Sequence, residues 1–132
     1  MPEKRKILVV DDEPSVCEGI ELVLSPAGYE VRKVNTGEEA VKLVRGEDFD
    51  VVLMDLIMPG MDGTEACEQI KAIKPYTRVV AISGSPSGQR LDRFLRAGGI
   101  ELYLYKPFGK QELIEGVEKA LRGDYIRFRE DT

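Results

Sequence analysis

Side chains with catalytic potential follow four short apolar runs of this 132-residue chain. The side chains that directly follow these runs are Asp11, Asp12, Glu13, Asp55, Ser83 and Lys106. Clustered carboxylates repel one another, and Mg²⁺ relieves that repulsion because it prefers a few carboxylates together with waters and phosphate oxygens. An ammonium binds an anion, a hydroxyl donates to a phosphate oxygen, and a carboxylate can act as a nucleophile. If these groups converge, the chemistry they suit is phosphoryl transfer to a carboxylate.

The apolar runs themselves predict the strands of a parallel sheet. Three of them are continuous and rich in β-branched residues, which is typical of strands that are covered on both faces. A fourth run is more aromatic, and a fifth is weaker and interrupted by charges, as in a strand near a sheet edge. In chain order the predicted strands are Ile7–Val10, Tyr29–Val34, Val51–Met54, Val79–Ile82 and Leu102–Tyr105.

Segments with helical periodicity alternate with the predicted strands. Five such segments carry apolar residues three or four positions apart. They end near Gly28, Gly46, Pro75, Gly98 and Gly123, and the first is predicted to have Gly28 as its C-cap. This alternation predicts right-handed crossovers and a parallel sheet with helices on both faces. Since ligands bind at the carboxyl ends of the strands in such a sheet, we expect the reactive side chains to converge there.

Length and composition exclude several functional classes. The length predicts one domain, and 42% hydrophobic with 33% charged residues is typical of a globular one. A net charge of −5 argues against a nucleic-acid-binding face. The sequence has no histidine, which excludes histidine-based catalysis, and two cysteines are too few for a disulfide scaffold. No segment has the apolar length of a signal peptide or a membrane span, so we expect a protein of the reducing cytoplasm.

Four motifs resemble those of the receiver domain of two-component response regulators, in order and in spacing. These motifs are Val9–Glu13, Leu53–Gly63, Ser83–Gly84 and Lys106–Phe108. The resemblance implies an α/β fold, the flavodoxin-like (βα)5 doubly wound sandwich with five parallel strands in the order 2-1-3-4-5. It also implies that residues 1–122 form the receiver domain and that residues 123–132 are a C-terminal tail or the beginning of a linker.

The resemblance implies a role for each side chain of the expected cluster. Asp55 matches the phosphoacceptor, and Lys106 matches the residue that pairs with the phosphoryl group. Mg²⁺ is the implied cofactor, and its implied ligands are Asp11, Asp12, Asp55 and the backbone carbonyl of Ile57. Ser83 matches the switch hydroxyl, and Tyr103 matches the aromatic residue that changes rotamer on activation. The Lys106–Pro107 peptide bond is expected to be cis.

The resemblance implies a signalling switch that catalyses only its own phosphorylation and dephosphorylation. The phosphoryl group would come from a sensor histidine kinase or a phosphotransfer protein in a Mg²⁺-dependent reaction. Its charge would reshape the face formed by the fourth helix, the fifth strand and the fifth helix. That face would control a downstream protein partner or an output domain. We expect no direct contact with nucleic acid or membrane, and homodimerisation is left open.

Three other functions compete with this interpretation. A pseudo-receiver would bind partners without phosphorylation, but every residue type expected in the pocket is present. A phosphatase with an aspartate nucleophile would need a second aspartate two positions after Asp55, where this chain has Ile57. A flavodoxin-like electron carrier would bind phosphate after the first strand. The acidic residues at that position would repel phosphate unless a metal ion intervened.

Overall fold

Strands and helices alternate along the part of the chain that this computed structural model describes, residues 4–56, 58, 60–61, 63–84 and 102–123. The strands are β1 (Lys6–Val10), β2 (Glu30–Val34), β3 (Val51–Asp55), β4 (Arg78–Ser83) and β5 (Leu102–Tyr105). The helices are α1 (Pro14–Leu24), α2 (Gly37–Gly46), α3 (Gly63–Ile73) and α4 (Lys110–Arg122). Thus α4 is the fifth helical segment of the sequence, since the fourth, near residues 91–98, lies outside the described residues. Among the described helices, none has the length and apolar character needed to cross a membrane.

The five described strands form one parallel sheet in the order β2-β1-β3-β4-β5, which confirms the predicted topology. The weakly apolar strand β2 lies at an edge, as its sequence predicts. Val10 pairs with Met54 across β1 and β3, Asp55 pairs with Ile82, and Ser83 lies beside β5. Because of this register, the carboxyl ends of β1, β3 and β4 reach the same edge of the sheet.

Two apolar layers cover the two faces of the sheet. Successive side chains of a strand point to opposite faces, and all four apolar residues of β1 are 0% exposed, so both of its faces are covered. Ile7 and Val9 belong to the layer with α1 and α4. Leu8 and Val10 belong to the layer with α2 and α3. Both faces of the central strands are therefore buried, as their continuous apolar sequences predict.

Local sequence explains where the first helices begin and end. The Thr36 hydroxyl accepts a hydrogen bond from the Glu39 amide at 3.0 Å and so caps α2. The predicted end of α1 at Gly28 is wrong, because α1 ends at Leu24. Pro26 has no N–H to continue the helical hydrogen bonds, and residues 25–28 form a turn instead. Gly28 closes this turn with a φ of +104°, a conformation that glycine adopts without strain.

Candidate functional site

Three carboxylates meet at the carboxyl end of the sheet. Asp11 and Asp12 follow β1, and Asp55 is the last residue of the neighbouring strand β3. One carboxylate oxygen from each lies within 4.8 Å of the other two. Asp11 is 0% exposed and Asp55 is 4% exposed, whereas Asp12 is exposed. The cluster therefore has two buried carboxylates and a third at its opening to solvent.

The side chain of Lys106 reaches this cluster from the end of β5. Its Nζ donates to Asp11 Oδ2 at 2.7 Å and lies 3.7 Å from Asp55 Oδ2. Burial lowers the pKa of Lys106, but the hydrogen bond to Asp11 and the negative charges of Asp55, Asp11 and Glu13 together raise it above its usual value. The ammonium is therefore charged at neutral pH. It neutralises only part of the negative charge beside it.

Asp11 is held at both its backbone and its side chain. Its amide donates to the Val34 carbonyl on β2 at 3.2 Å. Its Oδ1 accepts from the Glu13 amide at 3.0 Å, while Oδ2 accepts from Lys106. These contacts hold the buried Asp11 carboxylate at a defined position in the site.

The oxygen donors of this site fit a hard divalent cation. Two negative charges about 4 Å apart repel by about 4 kcal/mol at an effective dielectric constant of about 20. One ammonium faces three clustered carboxylates here, and a divalent cation would offset the remaining repulsion. Mg²⁺ prefers such carboxylate oxygens, with further positions left for water and phosphate. The carbonyl of Ile57, the fourth ligand that the resemblance implies, lies outside the described residues.

Ser83 and Tyr103 lie on the neighbouring strands β4 and β5, where Ser83 pairs with Tyr105 and Tyr103 pairs with Ala81. Ser83 ends β4 and is 1% exposed, and its carbonyl accepts from the Lys106 amide at 2.8 Å. Tyr103 is buried on β5, and burial raises the pKa of its phenol while the Ser83 hydroxyl opposes that shift. The Tyr105 ring packs edge-on against Tyr103 with 4.5 Å between the ring centroids. The peptide bond between Lys106 and Pro107 is cis, as the resemblance implies.

One contact of this site is absent from the sequence-based predictions. Asn35, between β2 and α2, donates from Nδ2 to the Asp11 carbonyl at 2.9 Å. No motif of the sequence marks Asn35, because its partner lies 24 positions away and is a backbone atom. Cys17 on α1 is 2% exposed and directs its thiol toward the same carbonyl at 3.5 Å.

The Cys17 thiol provides a test of this local environment. Burial and the charge of Asp11 raise the pKa of Cys17 from 9.0 to about 11. The folded protein therefore keeps a proton that the unfolded chain loses, so stability falls as the pH rises from 9.0 to about 11. We expect Cys17→Ala to remove on the order of 2 kcal/mol of this decline.

Urea unfolding of both proteins across this pH range measures the decline. Cys17→Ala also loses packing contacts, but that loss is already present at neutral pH and lowers the free energy of unfolding by the same amount at every pH. Other alkaline groups titrate in both proteins and cancel in the difference. Parallel curves for wild type and Cys17→Ala would show that the thiol has an ordinary pKa.

A doubly wound parallel sheet with an acidic cluster and a lysine at its carboxyl end defines a class of signalling domain. The family model for the response regulator receiver domain matches residues 7–118. The chain belongs to this family.

Solved structures support the same assignment. A CheY-like receiver domain protein from Methanospirillum hungatei is 28% identical, with a TM-score of 0.87 over 91% of this chain and 95% of that one. The chemotaxis protein CheY4 of Vibrio cholerae is 28% identical, with a TM-score of 0.83 over 89% of this chain and 99% of that one. The receiver domain of a sensor histidine kinase from Pseudomonas aeruginosa is 30% identical, with a TM-score of 0.83 over 90% and 98%. That structure has a magnesium ion coordinated in its active site cleft.

Proposed function

We propose that this receiver domain accepts a phosphoryl group on Asp55 from the phosphohistidine of a sensor histidine kinase or a phosphotransfer protein. The observation that carries the proposal is the placement of Lys106, whose ammonium lies within 3.7 Å of carboxylate oxygens of both Asp11 and Asp55. A buried carboxylate beside a fixed positive charge and a cation-binding cluster is suited to act as the nucleophile. The magnesium ion coordinated in the active site cleft of the similar kinase receiver domain supports a magnesium site here.

The proposed transfer conserves atoms and charge in one displacement. An Asp55 carboxylate oxygen forms a bond to phosphorus, while the bond between phosphorus and the donor imidazole nitrogen breaks. Asp11, Asp12 and Asp55 would hold Mg²⁺, which when bound neutralises charge on the transferring group. Lys106 pairs with a phosphoryl oxygen, and the Ser83 hydroxyl donates to another. The domain catalyses only this transfer and the hydrolysis of the aspartyl phosphate, in which water takes the phosphoryl group as inorganic phosphate and the Asp55 carboxylate is regenerated.

The phosphorylated state is proposed to act through Ser83 and Tyr103. The new phosphoryl oxygens attract the Ser83 hydroxyl, and its movement changes the space available to the Tyr103 ring. Tyr103 lies on β5, so the change reaches the face that β5 and α4 form. Under the proposal, residues 1–122 form the switching domain, residues 123–132 are a tail or linker, and this face controls a protein partner or output domain in the cytoplasm. The fourth helical segment, also expected in this face, lies outside the described residues.

Intact mass spectrometry tests the acceptor. After incubation with Mg²⁺ and acetyl phosphate, we expect wild type to gain the mass of one phosphoryl group and Asp55→Asn to gain none. Asp50→Asn is the matched control. Asp50 lies directly before β3, at the end opposite to Asp55, and forms an ion pair with Arg5. This variant should be phosphorylated like wild type, and EDTA should abolish the reaction.

If wild type gains no phosphoryl group, two explanations remain, and the binding of Mg²⁺ with beryllofluoride distinguishes them. Binding of Mg²⁺ with beryllofluoride would show a competent site that needs its protein donor. Binding of neither would contradict the proposal and favour a pseudo-receiver that binds partners without phosphorylation. Equal phosphorylation of wild type and Asp55→Asn would place the acceptor elsewhere.

A further inference from the structure

The exposed carboxylate of Asp12 depends on its backbone for its position. Asp11 and Asp55 are buried, and Asp11 is fixed by Lys106 and Glu13. Asp12 is exposed, and its carboxylate has no hydrogen bond or ion pair to any of the described residues. An oxygen of Asp12 nevertheless lies within 4.8 Å of oxygens of the other two carboxylates. The orientation of the peptide unit that joins Asp11 to Asp12 therefore sets where this carboxylate lies.

Asn35 holds that peptide unit. Its Nδ2 donates to the carbonyl oxygen of Asp11 at 2.9 Å, in a partly buried contact. The preceding residue, Val34, accepts a hydrogen bond from the Asp11 amide at 3.2 Å. Residues 34 and 35 thus hold Asp11 on both sides of its α-carbon. The thiol of Cys17 lies 3.5 Å from the same carbonyl oxygen and adds a weaker donor.

The chemistry of the asparagine side chain suits this position. An amide donates a hydrogen bond to the carbonyl without adding charge to a site that already holds one ammonium and three carboxylates. A carboxylate of the same size would place an acceptor against an acceptor. The hydrogen bond also fixes the direction in which the chain leaves Asp11 and enters Asp12.

We propose that Asn35 is a positioning residue for the cation site, which it supports by fixing the Asp11–Asp12 peptide and hence the Asp12 carboxylate. The inference rests on the proposed function, because it assumes that the acidic cluster binds Mg²⁺. Asn35 touches neither the cation nor the phosphoryl group. Its effect therefore appears as weaker cation binding, with the chemical step unchanged once the cation is bound.

Mg²⁺ titrations monitored by amide NMR test this role. We expect Asn35→Ala and Asn35→Leu to raise the dissociation constant for Mg²⁺ by about tenfold, because residues that orient metal ligands commonly have effects of this size. The leucine variant keeps the side-chain volume and loses the donor. Thr36→Ala is the matched control, since it removes the cap of α2 from the adjacent position without a contact to Asp11.

Phosphorylation by acetyl phosphate gives an independent readout. The Asn35 variants should be slow at low Mg²⁺ and recover the wild-type rate at saturating Mg²⁺. A dissociation constant within twofold of wild type, or an equal loss in Thr36→Ala, would overturn the inference and leave the proposed function intact. A wild-type protein that binds no Mg²⁺ would overturn the proposed function, and the inference with it.

Discussion

Replacing Lys106 with methionine is expected to lower the free energy of unfolding by about 3–5 kcal/mol when Mg²⁺ is absent. The ammonium is the charged partner of the fully buried Asp11 carboxylate at 2.7 Å, and it lies 3.7 Å from Asp55. Methionine keeps much of the side-chain volume and removes the charge. Two buried carboxylates then face each other without that cation, and this unpaired charge causes the loss. Urea unfolding in EDTA measures it.

Mg²⁺ and a second substitution identify the cause of the loss. Saturating Mg²⁺ should reduce the difference in free energy of unfolding between Lys106→Met and wild type, because a bound cation neutralises part of the charge of the buried carboxylates. Asp11→Asn in the Lys106→Met background should also recover stability, since it removes the unpaired charge.

Lys110→Met is the control for this prediction. Lys110 is an exposed residue that begins α4, so we expect a change of no more than about 0.5 kcal/mol. Equal stability of Lys106→Met and wild type in EDTA would show that the pair between Lys106 and Asp11 contributes nothing to the fold.

The parallel sheet could be predicted because it depends on short-range patterns, and the acidic cluster followed from the strand order that the resemblance to receiver domains implies. A strand covered on both faces has a continuous apolar sequence, and helices between such strands impose parallel pairing. The residues after Val10 and Met54 must then meet, since β1 and β3 are neighbours. Asp11, Asp12 and Asp55 lie together for this reason.

The finer geometry of the site depends on contacts between loops that are distant in sequence. The sequence indicates that Lys106 lies near the carboxylates, but its shorter distance is to Asp11 and not to the expected acceptor Asp55. Asn35 was not identified because its partner is a backbone carbonyl. Gly63 is the first residue of α3, and its residue type does not reveal how closely it approaches β3. Residue type alone does not reveal which backbone atoms a loop or helix end approaches.

The close approach of Gly63 to β3 has the second large consequence. A Cβ atom at this position would clash with the carbonyl oxygen of Asp55 and would lie 3.0 Å from the Cα of Leu56. Both are backbone atoms, so a side-chain rotation does not relieve the contact. We expect Gly63→Ala to lower the free energy of unfolding by about 3 kcal/mol, at the upper end of the usual cost of overpacking.

The same substitution should slow phosphorylation of the folded protein. We expect the backbone of Asp55 to shift away from the new methyl group, and a displacement of about 1 Å at a reacting group costs roughly 100-fold in rate. Acetyl phosphate labelling at a temperature where the variant is fully folded measures this loss separately from instability.

Gly19→Ala is the matched control, because Gly19 lies within α1 and a Cβ there meets no atom within 4 Å. It should raise stability by about 0.5–1 kcal/mol through helix propensity and leave phosphorylation unchanged. If Gly63→Ala were as stable and as reactive as wild type, the start of α3 would not constrain the acceptor. If it lost stability alone, the backbone would have moved at α3 and left Asp55 in place. The stability and the phosphorylation rate of Gly63→Ala together therefore show whether the start of α3 or the backbone of Asp55 moves to relieve the contact.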